Sequence, residues 1–140
     1  MSRHTEEPRG TVVVGYVPTT EGEAALSHAV AEARTRGARL LVVNTSRGDA
    51  LVDERYADDD QLAELRALLA ESGVEHELVR TLRGRDAHDE ILGVARERRA
   101  DLVVIGLRRR SAVGKLLLGS NAQRILLEAD CPVLAVKTPR

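Results

Sequence analysis

Short aliphatic and β-branched runs alternate along this chain with longer segments whose apolar residues recur at helical spacing. The apolar runs fall at 11–16, 39–44, 101–106 and 131–137, and a charged, alternating run occupies 74–82. Between them, apolar stripes predict helices over about 21–36, 58–72 and 86–98, and from Ser120 onward. Such regular alternation is typical of an α/β fold with right-handed crossovers between parallel strands.

The character of each strand predicts its place in the sheet. The runs at 11–16 and 101–106 are apolar enough to be buried on both faces, as central parallel strands are, whereas the charges of 74–82 suit an edge. The order 3-2-1-4-5 satisfies both conditions, while 2-1-3-4-5 would leave the apolar run 40–43 at an edge. We therefore predict a single-domain, doubly wound (Rossmann-like), five-stranded parallel sheet over 11–140 with helices on both faces, after a disordered lead-in at 1–10.

Composition argues against several classes of function. The 140 residues carry a net charge of −1 and 1% aromatic residues, which disfavours a nucleic-acid partner held by a basic surface or by base stacking. A single cysteine, Cys131, excludes an internal disulfide framework and fits a reducing compartment. The start of the chain lacks the apolar core of a signal peptide, and no apolar run is long enough to span a bilayer. We expect a cytoplasmic protein without nucleic-acid or membrane partners.

Helix starts are predicted from capping patterns. Thr20 and Glu23 stand in capping-box register at the first helix, and Ser120 with Gln123 at the fourth. The acidic run 58–60 opens the second helix, where it complements the helix dipole. We favour this interpretation over a metal site, because no histidine or fourth carboxylate is suitably spaced.

A doubly wound sheet binds ligands beyond the carboxyl ends of its strands, where the strand order reverses. In the predicted order this crevice lies between strands 1 and 4, and it is lined by the segments 15–20 and 106–121. Gly106 ends a strand, where a missing side chain would admit a ligand. Gly119, Ser120 and Asn121 open a helix whose free N–H groups favour an anion. Positive charge is added by Arg108, Arg109, Arg110 and Lys115. A purely structural interpretation is equally open: a turn at Gly119, a cap at Ser120 and a solvated basic loop.

Catalytic motifs are poor. A Walker P-loop would need glycine at 109 and Ser or Thr at 116, where Arg109 and Leu116 stand. No histidine has a partner at metal-ligand spacing: His4 is in the lead-in, His76 is on the edge strand, and His28 and His88 are expected to face solvent. Cys131 precedes a proline and is expected to be a small buried residue, not a nucleophile. We expect no enzyme.

Strand 4 with the segment from Gly106 to Ser120, followed by the ending Cys131-Pro-Val-Leu-Ala-Val136, closely resembles the universal stress protein family. The resemblance covers about 11–138. It implies the order 3-2-1-4-5, a regulatory, stress-linked role, and a homodimer through strand 5, Cys131 to Lys137. The residues support the dimer independently, because an apolar edge strand needs cover and a two-fold mate supplies it. The tail 137–140 is the alternative cover, and it is short for that purpose.

Family members that bind ATP carry a glycine, two residues, a second glycine, nine residues, then glycine and Ser or Thr. This chain matches at Gly106, Gly119 and Ser120, but Arg109 replaces the second glycine. Val17 replaces an acidic residue that ATP-binding members often carry, and Val43 matches the position whose backbone meets adenine. The expected site therefore comprises Gly15, Tyr16, Val43, Gly106, Arg109, Gly119, Ser120 and Asn121.

The ligand expected first is ATP or a related adenine nucleotide, with or without Mg²⁺. Arg109 would either pair with a phosphate or fill the space that a glycine leaves open, and the sequence does not choose between them. The alternative function is a dimeric protein-interaction module of the same fold that binds no nucleotide, using the dimer face or the basic loop 108–115. A slow nucleotide hydrolase is a third and weaker hypothesis, because no general base is evident.

Overall fold

A computed structural model describes residues 10–45, 59–80, 86–107 and 119–138. Strands and helices alternate through these ranges. The strands are β1 (Thr11–Tyr16), β2 (Arg39–Asn44), β3 (His76–Arg80), β4 (Leu102–Leu107) and β5 (Val133–Lys137); the helices are α1 (Thr20–Arg36), α2 (Asp59–Ser72), α3 (Ala87–Glu97) and α4 (Ser120–Glu128). The predicted α/β class and order of elements are confirmed, with ends displaced by one or two residues.

The five strands form one parallel sheet in the order β3-β2-β1-β4-β5, as predicted. The two most apolar strands, β1 and β4, lie next to each other in the middle, and the charged β3 lies at an edge. The β1–β2 register runs from Thr11 opposite Arg39 to Tyr16 opposite Asn44. The point at which the strand order reverses is therefore the junction of β1 and β4.

The core lies in two layers, one on each face of the sheet, because successive strand side chains point to opposite faces. Helices α1 and α2 cover Val12, Val14, Leu40, Val42, Leu102 and Val104. Helices α3 and α4 cover Val13, Leu41, Val43, Val103 and Ile105. These strand residues are all short aliphatics, which agrees with a sequence that has no Phe and no Trp.

The start of α1 corrects one capping prediction. Its N-cap is Thr19, not Thr20, and the Thr19 hydroxyl accepts a hydrogen bond of 3.2 Å from the N–H of Gly22. Glu23 is therefore not a capping-box partner and turns instead to Tyr16, whose hydroxyl donates to it. The predicted stop at Gly37 is confirmed, because this residue adopts the left-handed conformation with φ of 65°.

Of the predicted lead-in at 1–10, the described ranges include Gly10 alone, and its carbonyl accepts a hydrogen bond of 3.0 Å from the N–H of Arg39. Within the same ranges, no helix combines the length and the hydrophobicity that crossing a membrane requires.

Candidate functional site

The central pair of strands parts at its carboxyl end. The β1–β4 register runs from Val12 opposite Leu102 to Val14 opposite Val104, although β1 continues to Tyr16 and β4 to Leu107. The flanking pairs stay together to their ends, since β1 is paired with β2 through Tyr16 and β4 with β5 through Leu107. β1 and β4 are therefore unpaired beyond Val14 and Val104, and we call the region between their carboxyl ends, at the predicted reversal point, the cleft.

Helix α4 begins at this edge of the sheet without a side-chain cap. Gly119 is its N-cap, and Ser120 is the first helical residue, which corrects the prediction that Ser120 caps the helix. No acidic residue occupies the first turn of α4, whereas the first turns of α1, α2 and α3 each carry two. Within the described ranges, no side chain caps the exposed start of α4, so its N–H groups and the positive end of its dipole favour an anion.

The space at Gly119 is open. A Cβ placed on this residue would meet no other atom of the described residues within 4 Å, and its φ of −69° is allowed for any residue. The described part of the fold therefore does not require glycine here, and a bound ligand is one physical reason for the small residue.

Packing restricts the other two glycines of the predicted site, strictly at Gly106, which faces backbone, and less strictly at Gly15, which faces the end of a flexible side chain. A Cβ on Gly15 would lie 2.5 Å from Cδ1 of Ile91 on α3, and a Cβ on Gly106 would overlap the backbone carbonyl of Glu21 in α1. This corrects the expectation that the space beside Gly106 admits a ligand, because α1 already fills it. Both glycines let a helix approach the sheet closely beside the cleft.

Tyr16 ends β1 at the carboxyl edge of the sheet, but its side chain points to the face that α1 and α2 cover. The ring is buried with α1 and α2, and the hydroxyl donates a hydrogen bond of 2.8 Å to Oε2 of Glu23. Burial, followed by the hydrogen bond and negative charge of Glu23, raises the pKa of Tyr16. The phenol therefore stays protonated as a donor, and the structure leaves only the Tyr16 backbone near the cleft.

Val43 is fully buried against α3, so only its backbone is available at the carboxyl end of β2. The next residue, Asn44, was not predicted as part of the site. Its side chain is fully buried, and Nδ2 donates a hydrogen bond of 3.1 Å to the carbonyl of Tyr16. Asn44 thereby ties the end of β2 to the end of β1. In the sequence, Asn44 could have been found as the polar residue that follows the apolar run 40–43.

The side chain of Asn121 does not face an open cleft. Its Oδ1 accepts hydrogen bonds from the backbone N–H of His88, at 3.1 Å, and from Nδ1 of the same residue, at 2.8 Å. His88 is 9% exposed, so the prediction that it faces solvent was wrong. This contact joins the start of α4 to the start of α3.

The structure thus places the ends of β1, β2 and β4 and the start of α4 at the same edge of the sheet. The side chains of Tyr16, Val43 and Asn121 make contacts elsewhere. Arg109 lies outside the described residues, as do Arg108, Arg110 and Lys115. Val17, at the position where an acid was expected from the family pattern, offers its carbonyl to the N–H of Thr19 at 2.8 Å.

The sequence model of the universal stress protein family matches residues 8–137. The chain belongs to the universal stress protein family. A universal stress protein of Mycolicibacterium smegmatis is 48% identical over 126 residues, which are 90% of this chain and 96% of that protein.

Solved universal stress proteins share the fold. One from Archaeoglobus fulgidus has 31% sequence identity and a TM-score of 0.71, with 92% of this chain and 99% of that chain covered. Another from the same organism, solved in complex with dAMP, has 27% identity and a TM-score of 0.67, with 94% and 100% covered. The likeness extends over nearly the whole length of each protein.

Proposed function

We propose that this universal stress protein is a regulatory protein that binds ATP or a related adenine nucleotide between the carboxyl ends of β1 and β4. The observation that carries the proposal is the end of β1–β4 pairing at the carboxyl edge of the sheet, the same edge at which α4 begins without a side-chain cap. A cleft next to free N–H groups is the arrangement in which doubly wound proteins hold phosphate groups. The dAMP complex of the Archaeoglobus fulgidus relative supports an adenine nucleotide as the ligand class.

Different parts of the proposed site would bind the phosphates and the base of the nucleotide. The backbone N–H groups that open α4 and the exposed hydroxyl of Ser120 would take the phosphates, and the small Gly119 would let them approach. The backbone at Val43, at the end of β2, would meet the base, in keeping with the family pattern. Mg²⁺ would accompany a triphosphate by neutralising its charge. We propose that the protein acts in the cytoplasm by binding, not by catalysis.

Ligand-dependent melting of the full chain tests the proposal. ATP, AMP and dAMP should each raise the melting temperature, while GTP should raise it less, and a ligand at about a hundred times its dissociation constant adds about 2.7 kcal/mol of stability. Gly119→Ala should abolish most of the nucleotide effect while leaving the unliganded protein as stable as before, because the new methyl group meets no described atom.

Gly93→Ala is the matched control. This glycine lies in α3, and a Cβ there likewise meets nothing within 4 Å, so the same substitution should leave the nucleotide effect intact. The Arg109→Gly variant restores the second glycine of the ATP-binding pattern and tests whether Arg109 blocks the site. If the natural chain does not respond to millimolar adenine nucleotide, the proposal is rejected. A response gained only by Arg109→Gly would mean that the natural arginine closes the site, and it would favour the interaction module.

A homodimer through β5 is the second part of the proposal. β5 is an edge strand bonded to β4 on one side, and Val133, Leu134 and Ala135 are each partly exposed. Two further apolar side chains, Leu126 and Leu127, are 40% and 74% exposed on α4. These features favour a partner surface, and they would serve the alternative function of a dimeric interaction module if no nucleotide binds.

A further inference from the structure

A second cluster of polar groups lies at the start of α3. Asp86, His88 and Asp89 each offer a ligand atom, and these three atoms lie within 4.8 Å of one another. This corrects the expectation that no histidine has partners at metal-ligand spacing. His88 is the buried member, whereas both aspartates are exposed and free to change rotamer.

The contact with Asn121 fixes the tautomer of His88. A backbone N–H can only donate, so the Asn121 atom 3.1 Å from the His88 N–H must be the carbonyl oxygen. The same oxygen lies 2.8 Å from Nδ1 of His88, and therefore Nδ1 carries a proton. In the neutral imidazole, Nε2 then has a lone pair and can bind a metal ion.

The neutral ring leaves two acceptors face to face. Nε2 of His88 lies 3.3 Å from Oδ1 of Asp89. A lone pair opposite a carboxylate oxygen at this distance is unfavourable unless a cation lies with them, either a metal ion or a second proton on the ring.

Among the described residues, no hydrogen bond holds the side chain of Asp86 to the start of α3. It is the N-cap residue of α3, yet its side chain makes no cap hydrogen bond. Asn121 has taken over that role by accepting from the second N–H of the helix. The carboxylate of Asp86 is therefore not committed to the helix start.

We propose that Nε2 of His88 and the carboxylates of Asp86 and Asp89 form a site for a divalent transition-metal ion of the Zn²⁺ class. The imidazole ligand favours Zn²⁺ over Mg²⁺, and two carboxylates balance the charge of the ion. Three protein ligands leave a fourth position to water. Asn121 acts on Nδ1 as the outer hydrogen-bond partner that metal-binding histidines usually have.

The site is independent of the nucleotide. Its three ligands come from the start of α3. No nucleotide phosphate is needed to hold the ion. The ligand atoms must draw together to reach Zn–N and Zn–O distances of about 2.0–2.2 Å, which the exposed aspartates can do by rotating towards the fixed imidazole.

Equilibrium dialysis of the untagged full chain against Zn²⁺, in the absence of nucleotide, tests the site. We expect one ion per chain, unaffected by excess Mg²⁺. His88→Gln should lose the ion, and Asn121→Ala should weaken binding by about 10–100-fold. His76→Gln is the matched control, because His76 lies on β3 and its Nδ1 contacts the carbonyl of Val74; it should bind as the natural chain does.

Co²⁺ absorption gives a second readout, since a visible spectrum that requires His88 reports ligation directly. If His88→Gln fails to fold, Asp86→Asn decides the matter, because Asp86 is exposed and makes no cap hydrogen bond. Failure of the natural chain to retain Zn²⁺, or equal retention by the decisive variant, overturns the proposal.

Discussion

Tyr16 ends β1 with its ring in the core and its hydroxyl on Glu23, at 2.8 Å. Burial, the hydrogen bond to Glu23 and the charges of Glu23 and Glu64 all raise its pKa. The folded protein therefore keeps the phenol neutral, while the unfolded chain ionises it near the ordinary value of about 10. Because the unfolded state loses its proton first, stability must fall as the pH rises through 10.

The chain has two tyrosines and no tryptophan, which makes this titration measurable. In Tyr56→Phe, Tyr16 is the only tyrosine, and tyrosinate absorbance should appear above pH 10 and together with unfolding. Adding Glu23→Gln should bring ionisation to a lower pH. A phenol that ionises at its ordinary pKa in the folded Tyr56→Phe protein would contradict the buried, hydrogen-bonded arrangement.

His88 and Gly106 show which roles of single residues can be predicted from a sequence and which cannot. His88 stands three and four positions before Ile91 and Leu92, so helical spacing places it on the buried stripe, and that signal was missed. Its partner Asn121 was beyond prediction, because the contact spans 33 positions and depends on how two helices pack. The role of Gly106 was hidden for the same reason, since Glu21 fills its space only in the folded chain.

At the scale of elements, the starts of α3 and α4 are joined by Asn121. The N-cap of α3 supplies no side-chain acceptor, and Oδ1 of Asn121 supplies it from the neighbouring helix. Asn121→Ala should therefore destabilise the protein by about 1 kcal/mol, as the loss of a capping acceptor does. Denaturant unfolding gives the size of the effect, and hydrogen exchange should become faster at the first turn of α3.

Gln123→Ala is the control for this helix, because Gln123 is exposed on α4. It should change stability by less than about 0.5 kcal/mol and leave exchange in α3 unaltered. Equal effects of the two substitutions would mean that the link between the helices contributes nothing to stability.

Elements were predictable where they depend on local pattern and less so at their ends. Apolar runs and helical stripes located every strand and helix of the described ranges. The caps differed by one residue, because Thr19 and Thr20 are chemically equivalent and only the path of the chain decides which hydroxyl reaches Gly22. The start of α4 was similar: Ser120 has the chemistry of a cap, yet Gly119 occupies the position.

At the scale of the whole molecule, the burial pattern of the strands chose between the two doubly wound orders considered, and the family resemblance implied the same order. The most apolar strands, β1 and β4, were expected in the middle and the charged β3 at an edge, and the order that meets both conditions has its reversal point between β1 and β4. The position of the candidate site was thereby predictable, while the space within it was not. That space depends on where α1 packs and on Arg109, which lies outside the described residues.

The other edge of the sheet supports the last prediction. If β5 pairs with its two-fold mate, every substitution in it occurs twice in the contact, so one added lysine places two like charges at the interface. Leu134→Lys and Ala135→Lys lie on opposite faces of this strand, and both should convert a dimer to a monomer in sedimentation experiments.

Leu68→Lys is the control, because it shows whether a new lysine outside β5 also changes the oligomeric state. Leu68 is 46% exposed on α2, away from β5, and its replacement by lysine should leave the mass unchanged. A natural chain that sediments as a monomer at every concentration, or β5 variants that remain dimeric, would refute pairing through this strand. Folding of each variant is checked by its secondary-structure signal, since an unfolded chain would also lose its partner. The decisive result is a β5 variant that is folded but monomeric, because the sheet is then intact and only the contact between subunits is lost.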